Sequence, residues 1–272
     1  MAMMKDLKVY LPFAKNSFQR LIAYKANVIM FMFGDGLMLA VTYYLWRAIY
    51  ESSTSEVING FTMNEMIIYV IISFLTMLIT SVDISYPIAE EVKNGSIAVN
   101  LIRPISYEKR MFFQGLGNVF YNFVVIFIIA FSVTVYLSFR FFGSIGIGRI
   151  LVYLLSIILG VFISFYFSYI FGLISFKITN MWGLSQVMGA ISNLLSGTLI
   201  PIVFFPEILQ KLFNFLPFGS MIYTPTMIYL GKLTGVDMIK SLIIQAVWIF
   251  ILIGIAKLMW KTLIKKLTIL GG

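Results

Sequence analysis

The sequence contains neither histidine nor cysteine. These absences exclude the usual zinc sites, thiol nucleophiles, serine–histidine catalytic pairs and histidine proton relays. Charged residues are also scarce, at 11% of the 272-residue chain, whereas a soluble domain carries about a quarter. A Walker A motif for binding nucleotide phosphates is absent as well. We therefore expect no catalytic residues, no metal and no directly bound cofactor in this chain.

Apolar side chains are what the sequence has in abundance. Hydrophobic residues make up 60% of the chain, and the mean hydropathy is +0.97. Such a composition cannot cover a water-facing surface, so lipid must be the solvent for most of the protein. The net charge of +9 is distributed between the apolar runs, which favours a role in membrane topology over nucleic-acid binding.

Six apolar runs approach the ~20 residues that a membrane-crossing helix requires. They predict spans at 27–46, 66–82, 112–139, 150–176, 183–205 and 242–260. Before them, apolar residues recur at helical spacing in a basic segment, at Leu7, Leu11, Ala14, Phe18 and Leu21. This pattern predicts an amphipathic helix at the membrane interface over residues 1–25. We thus expect an all-α membrane protein with a single transmembrane domain, 1–272.

Lysine and arginine predict the orientation, because they are enriched in cytoplasmic segments. If the N-terminus is cytoplasmic, fourteen of these residues lie on that side and six on the other. Lys265 and Lys266 belong to the larger group. The distribution therefore places both termini in the cytoplasm.

Polar and small side chains form two helical stripes within the predicted spans. Ser73, Thr76, Thr80 and Asp83 share one face of the second span, where they either bond a neighbouring helix or line a hydrated pathway. The fourth span carries small residues every four positions, which predicts close helix packing: Ser156, Gly160, Ser164, Ser168 and Gly172. Asp35 lies near the middle of the first span. A buried charge there is a functional candidate or a satisfied interhelical bond, unless the span begins later in the chain.

The segment 87–110 lies on the predicted cytoplasmic side, and its sequence suggests a short helix, a turn and a second short helix. It contains an acidic pair before a glycine, then a leucine and an Arg-Pro-Ile-Ser ending. This order resembles the signature of type-2 ABC exporter permeases. The resemblance implies that the segment contacts an ATPase, through Glu90, Glu91, Val92, Asn94, Gly95, Leu101, Arg103 and Pro104.

A second proline-rich segment strengthens the resemblance. Prolines from Pro201 onward break the fifth helix near the outer leaflet, and the region 206–237 is too apolar for a free external loop. A re-entrant hairpin satisfies both facts and is similar to the outer gate of the same family. The implied gate residues are Pro201, Phe205, Pro206, Pro217 and Phe218.

The resemblance covers nearly the whole chain and looks closest to the branch of paired drug or toxin permeases. It implies the membrane subunit of an ATP-driven exporter in the bacterial plasma membrane, moving an amphipathic small molecule, peptide or lipid-like substrate. The implied partners are two ABC ATPase subunits, which carry ATP and Mg, a second identical or paralogous permease, and membrane lipid. Under this interpretation the candidate pathway residues are Asp35, Thr76, Thr80, Asp83, Gln186, Asn193 and Ser196.

Two other functions stay open at the level of sequence. An ion-coupled secondary carrier would need buried ionisable residues, and Asp35 and Asp83 are the candidates. A membrane immunity or scaffold protein that transports nothing would need none of these sites.

Overall fold

The computed structural model describes residues 2–143, 145–178 and 181–264, apart from the side chains of residues 2–7, 25–28 and 31. The side chain of Leu7 and the residues Lys265 and Lys266, which entered the sequence predictions, lie outside this description. The helices are α1 (Ala2–Ala23), α2 (Lys25–Ser52), α3 (Met63–Thr80), α4 (Ser85–Lys93), α5 (Ser96–Leu101), α6 (Tyr107–Asn122), α7 (Ile128–Phe142), α8 (Ile147–Leu173), α9 (Trp182–Leu195), α10 (Glu207–Phe215), α11 (Pro217–Met221), α12 (Tyr223–Leu230) and α13 (Gly235–Leu263).

Short elements connect several of these helices. Strands β1 (Val57–Ile58) and β2 (Phe61–Thr62) pair antiparallel between α2 and α3. A π-helical turn, Phe123–Phe127, joins α6 to α7 without a break in the rod. A 3₁₀ turn, Ile174–Phe176, extends α8, and another, Ile202–Phe204, lies between α9 and α10.

Four helical stretches in the described ranges are long and apolar enough to cross a membrane: Met63–Lys93, Tyr107–Phe142, Ile147–Phe176 and Gly235–Leu263. They coincide with the second, third, fourth and sixth predicted spans. The first predicted span lies within the 28-residue α2, whereas α9 has only 14 residues. At ~1.5 Å per residue α9 reaches about 21 Å, short of the ~30 Å hydrocarbon core. The all-α membrane class is therefore confirmed, and the count of six spans stays a prediction.

The fifth predicted span, 183–205, is not one continuous helix. Helix α9 ends at Leu195, and Gly197 then adopts a left-handed backbone angle of φ +76°. Pro201 follows and lacks the N–H that a continuing helix needs. The predicted hairpin region 206–237 forms α10, α11 and α12 before α13 begins, and its re-entrant position in a bilayer stays a prediction.

Helix α8 lies at the centre of the fold, where α3, α4, α11, α12 and α13 pack against it. A Cβ added to Gly160 would lie 2.9 Å from the Met221 carbonyl oxygen. One added to Gly172 would lie 3.0 Å from the Cα of Ser85. Neighbouring backbones thus come closer to α8 than a larger side chain would allow, and the predicted role of the small-residue stripe in packing is confirmed.

Helix α1 lies along α6 through close backbone and ring contacts. A Cβ on Gly117 of α6 would overlap the carbonyl oxygen of Ala14. The buried Tyr10 hydroxyl accepts a hydrogen bond of 2.8 Å from the Ser106 N–H. The helical state of α1 agrees with the sequence pattern, while its position at a membrane interface stays a prediction.

Candidate functional site

A cleft of about 200 Å³ lies between the α3–α4 junction, α8 and α9. Methionine and phenylalanine side chains form its apolar wall. The polar side chains of the wall include Thr80, Asp83, Ser185, Ser192, Asn193 and Ser196. The Ser185 hydroxyl is buried and has no hydrogen-bond partner among the described residues.

The junction between α3 and α4 is a break in an otherwise continuous apolar rod. Backbone N–H groups exposed by such a break need partners in a low-dielectric environment. The Val82 N–H donates to Ser164 Oγ at 3.3 Å, and the Ile84 N–H donates to Ser168 Oγ at 2.9 Å. Two serines of the α8 stripe therefore stabilise the break as well as permit close packing.

Asp83 lies in this break with its side chain exposed to the cleft. Its Oδ1 accepts bonds from the Ser85 N–H at 3.0 Å and the Ser85 hydroxyl at 2.7 Å, so the carboxylate also stabilises the first turn of α4. In the described part of the chain it is the one charged residue on the cleft wall. The cleft can therefore bind a cationic or hydrogen-bonding group.

The structure divides the predicted pathway residues. Thr80, Asp83, Asn193 and Ser196 line the cleft, whereas Thr76 and Gln186 lie outside its wall. Thr76 is fully buried, and its hydroxyl lies 2.9 Å from the hydroxyl of Tyr153 on α8. It therefore bonds a neighbouring helix, while Gln186 is exposed on α9. For the stripe on the second span, the sequence left open whether it bonds a neighbouring helix or lines a pathway. Thr76 bonds the neighbouring helix, whereas Thr80 and Asp83 line the cleft.

Asp35 also lies away from the cleft wall. It is half-buried on α2, and no side-chain hydrogen bond or ion pair involves it within the described residues. The interpretation as a satisfied interhelical bond therefore gains no support.

The predicted coupling segment folds as the sequence suggested, with α4, a turn and α5. Gly95 connects the helices at φ +75°, a left-handed conformation that favours glycine. The Asn94 side-chain oxygen accepts a bond of 3.0 Å from the Ser96 N–H. Val92 and Leu101 pack on the main core. The helix–turn–helix prediction is thus confirmed.

The two adjacent glutamates of α4 occupy different environments. Glu90 is exposed, whereas Glu91 receives bonds of 2.8 and 2.6 Å from Arg110 on α6. The Tyr107 hydroxyl donates to the same carboxylate at 3.0 Å. Arg110 is only 6% exposed, so Glu91 joins α4 to α6 inside the protein. The sequence identified Glu91 but missed Arg110 and Tyr107 as its partners.

Two apolar side chains that the sequence did not single out project from the end of this segment. Val99 is 54% exposed and Ile102 is 82% exposed. They lie three residues apart and share a helical face, a signal that was readable from the sequence. Arg103 and Pro104 follow and are also exposed. Together these four residues form an exposed surface, here called the α5 tip.

The predicted gate residues lie in the segment after α9: Pro201, Phe205, Pro206, Pro217 and Phe218. Three are buried, while Phe205 is half-buried and Pro206 is exposed. Two separate ring contacts result, Phe205 with Phe213 and Phe218 with Phe167, each at 5.0 Å between centroids. The segment therefore has its own apolar packing and also contacts α8.

Hydrogen bonds hold the start of this segment against α3. The Tyr69 hydroxyl donates to the Gly197 carbonyl oxygen at 2.5 Å. The Ser73 hydroxyl donates to the Thr198 carbonyl oxygen at 3.1 Å. Both side chains are fully buried, so the irregular backbone after α9 is satisfied by the neighbouring helix.

A protein-family model described as "ABC-2 family transporter protein" matches residues 37–271. The match begins within α2 and includes every later element named above. Among curated proteins, none matches the chain significantly.

Proposed function

Because the chain belongs to the ABC-2 family of transporter proteins, we propose that it is the permease of an ATP-driven exporter. The family consists of multi-pass membrane subunits that normally work with an ABC ATPase. In this proposal ATP and Mg are bound by two such ATPase subunits, and a second permease, identical or paralogous, completes the pathway. The complex lies in a bacterial plasma membrane with both permease termini in the cytoplasm.

The α5 tip is the observation that carries the proposal. Exposed apolar residues rimmed by polar ones are typical of protein interaction sites, and Val99 and Ile102 have this character beside Arg103. The ion pair between Glu91 and Arg110 holds α4 on α6 behind the tip. A force applied to α5 by a partner would therefore reach the membrane helices rather than bend a loose loop.

The cleft is the inner part of the proposed substrate pathway. Asp83 stabilises the first turn of α4 and also faces the cleft. A movement of α4 driven by the ATPase would therefore move this carboxylate directly. The mixed wall of hydroxyl, methionine and phenylalanine groups suits an amphipathic small molecule, peptide or lipid-like substrate. Family members of the drug and toxin branch would be the nearest functional parallel.

Two isoleucine substitutions test the docking surface. We expect Ile102→Glu to abolish co-purification of the ATPase, because an acidic group would be buried in the interface. The matched control is Ile147→Glu. Ile147 is 76% exposed and lies at the N-terminal end of α8, whereas α4 contacts α8 near its C-terminal end at Gly172. Both variants would be compared by pull-down in mild detergent. Equal ATPase recovery with the two variants would reject the α5 tip as the docking surface.

Asp35 supplies the test for an ion-coupled carrier, since it is half-buried without a partner among the described residues. Transport measured in proteoliposomes should stop when ATP is withheld and should persist in Asp35→Asn. ATP-independent transport that Asp35→Asn abolishes would favour the carrier instead. Failure to recover any ATPase with the unaltered chain would favour the immunity or scaffold function.

A further inference from the structure

A second, larger cavity of about 760 Å³ shares no lining residue with the cleft. Its walls come from α1, α6, the π-helical turn and α8, with Ile79 of α3 at the back. Among the side chains that the structure describes, every lining residue is apolar except Lys15 of α1. A volume of this size is within the range of about 300–1,000 Å³ that small-molecule sites occupy.

The cavity follows one helical rod. Its lining runs along one rod from Phe113 of α6 to Phe127 of the π-helical turn, which is about 21 Å at ~1.5 Å per residue. This length and the apolar lining fit one extended hydrocarbon chain.

Positive charge lies at the α1 edge of the cavity. Lys15 is exposed at the lining, and Lys8 lies seven residues earlier on the same side of α1. The other end of the lining, at Phe127 and Leu154, carries no charge. An occupant must therefore combine a long apolar tail with an anionic head.

We propose that this cavity binds an anionic phospholipid of the cytoplasmic leaflet. One acyl chain lies between α1, α6 and α8, and the phosphate lies at Lys15 and Lys8. The close contact of Gly117 with Ala14 closes the base of the groove, so the lipid fastens the edge of α1 to the membrane helices. This site is separate from the cleft and does not depend on the direction of transport.

Lipid retention by the purified chain tests the site. The probes are phosphatidylglycerol and phosphatidylcholine with identical acyl chains, added to delipidated protein and counted by native mass spectrometry. We expect Lys15→Gln to weaken phosphatidylglycerol retention about fivefold, since one lysine near an anionic headgroup contributes on that order, and to leave phosphatidylcholine unchanged. The matched control is Lys211→Gln, an exposed lysine on α10, which should change neither lipid.

A second variant tests the acyl chain. Ile158 lines the cavity and is 54% exposed, so Ile158→Trp should fill the groove without removing core packing and should lower retention of both lipids. A photoreactive phenylalanine analogue placed at position 158 should crosslink to phospholipid. A crosslink to a second copy of the chain or to another protein would overturn the proposal. Unchanged retention in both Lys15→Gln and Ile158→Trp would also overturn it.

Discussion

Helices α8 and α9 follow each other in the chain and line the same cleft, yet they are packed in opposite ways. Eleven of the 27 residues of α8 are buried, whereas none of the 14 residues of α9 is. Both contain glycines, but those at positions 160 and 172 of α8 meet neighbouring backbone, while an added Cβ on Gly183 or Gly189 of α9 would meet nothing within 4 Å.

This difference shows that a small residue in an apolar helix does not by itself indicate close packing. On α8 it permits contact with α4 and α11, and on α9 it leaves an open face. The outer face of α9 also carries exposed apolar residues, Val187, Ile191 and Leu194. Helix α8 thus buries much of its surface within one chain, whereas α9 leaves its apolar face exposed.

The largest expected effect lies at the buried ion pair. Glu91→Ala leaves Arg110 buried without its carboxylate, which typically costs about 3–5 kcal/mol in the free energy of unfolding. Thermal unfolding in detergent measures this loss of stability. The adjacent Glu90→Ala is the control, because Glu90 is exposed and its loss should change stability by no more than about 0.5 kcal/mol. Equal destabilisation by the two variants would contradict the assigned roles.

A pair of glycine substitutions compares α8 with α9 directly. Gly172→Ala forces a methyl group against Ser85 and Ile88, and overpacking of this kind costs about 1–3 kcal/mol. Gly189→Ala has open space and should be neutral or stabilising by up to about 1 kcal/mol, since alanine favours a helix. The melting temperatures of the two variants, each compared with the unaltered protein, measure this difference. If Gly189→Ala were the more destabilising one, α9 would have a close neighbour after all.

The smallest expected effect lies at the hydrogen bond between α3 and the turn after α9. Tyr69→Phe removes the hydroxyl that donates to the Gly197 carbonyl oxygen, and a lost hydrogen bond of this kind costs about 1 kcal/mol. Because the bond holds the turn after α9, we also expect faster proteolysis near residues 196–200. Tyr44→Phe, at a tyrosine 63% exposed on α2, is the control and should alter neither property.

The local features were predictable from the sequence, and the partners of individual side chains were not. The α4–turn–α5 motif follows from Asn94 and Gly95, whose conformational preferences act within a few residues. Which of Glu90 and Glu91 is buried depends on the rotation of α4 against α6, and adjacent residues differ by about 100° around a helix. No pattern inside α4 contains that information.

The same limit explains the other differences. Thr76 and Thr80 are one helical turn apart, but only Thr76 lies opposite Tyr153, a contact that depends on how α3 meets α8. The end of the fifth helix had a readable signal, because the prolines from Pro201 onward predict a break there. The predicted span nevertheless runs to Phe205, past the end of α9 at Leu195, because hydropathy does not distinguish a helix from an apolar turn.

The π-helical turn, Phe123–Phe127, means that the rod from Tyr107 to Phe142 contains one residue more than a regular helix would need. Deleting a residue within this turn would restore regular helical spacing and leave α7 close to its present rotation, because the turn absorbs the extra residue locally. Thr134 and the Tyr229-bonded Ser138, both buried, would therefore still face the core. In the middle of α8, which is a regular helix throughout, a deletion would instead rotate the rest of the helix by about 100°. We therefore expect a deletion within Phe123–Phe127 to lower the melting temperature less than a deletion in the middle of α8.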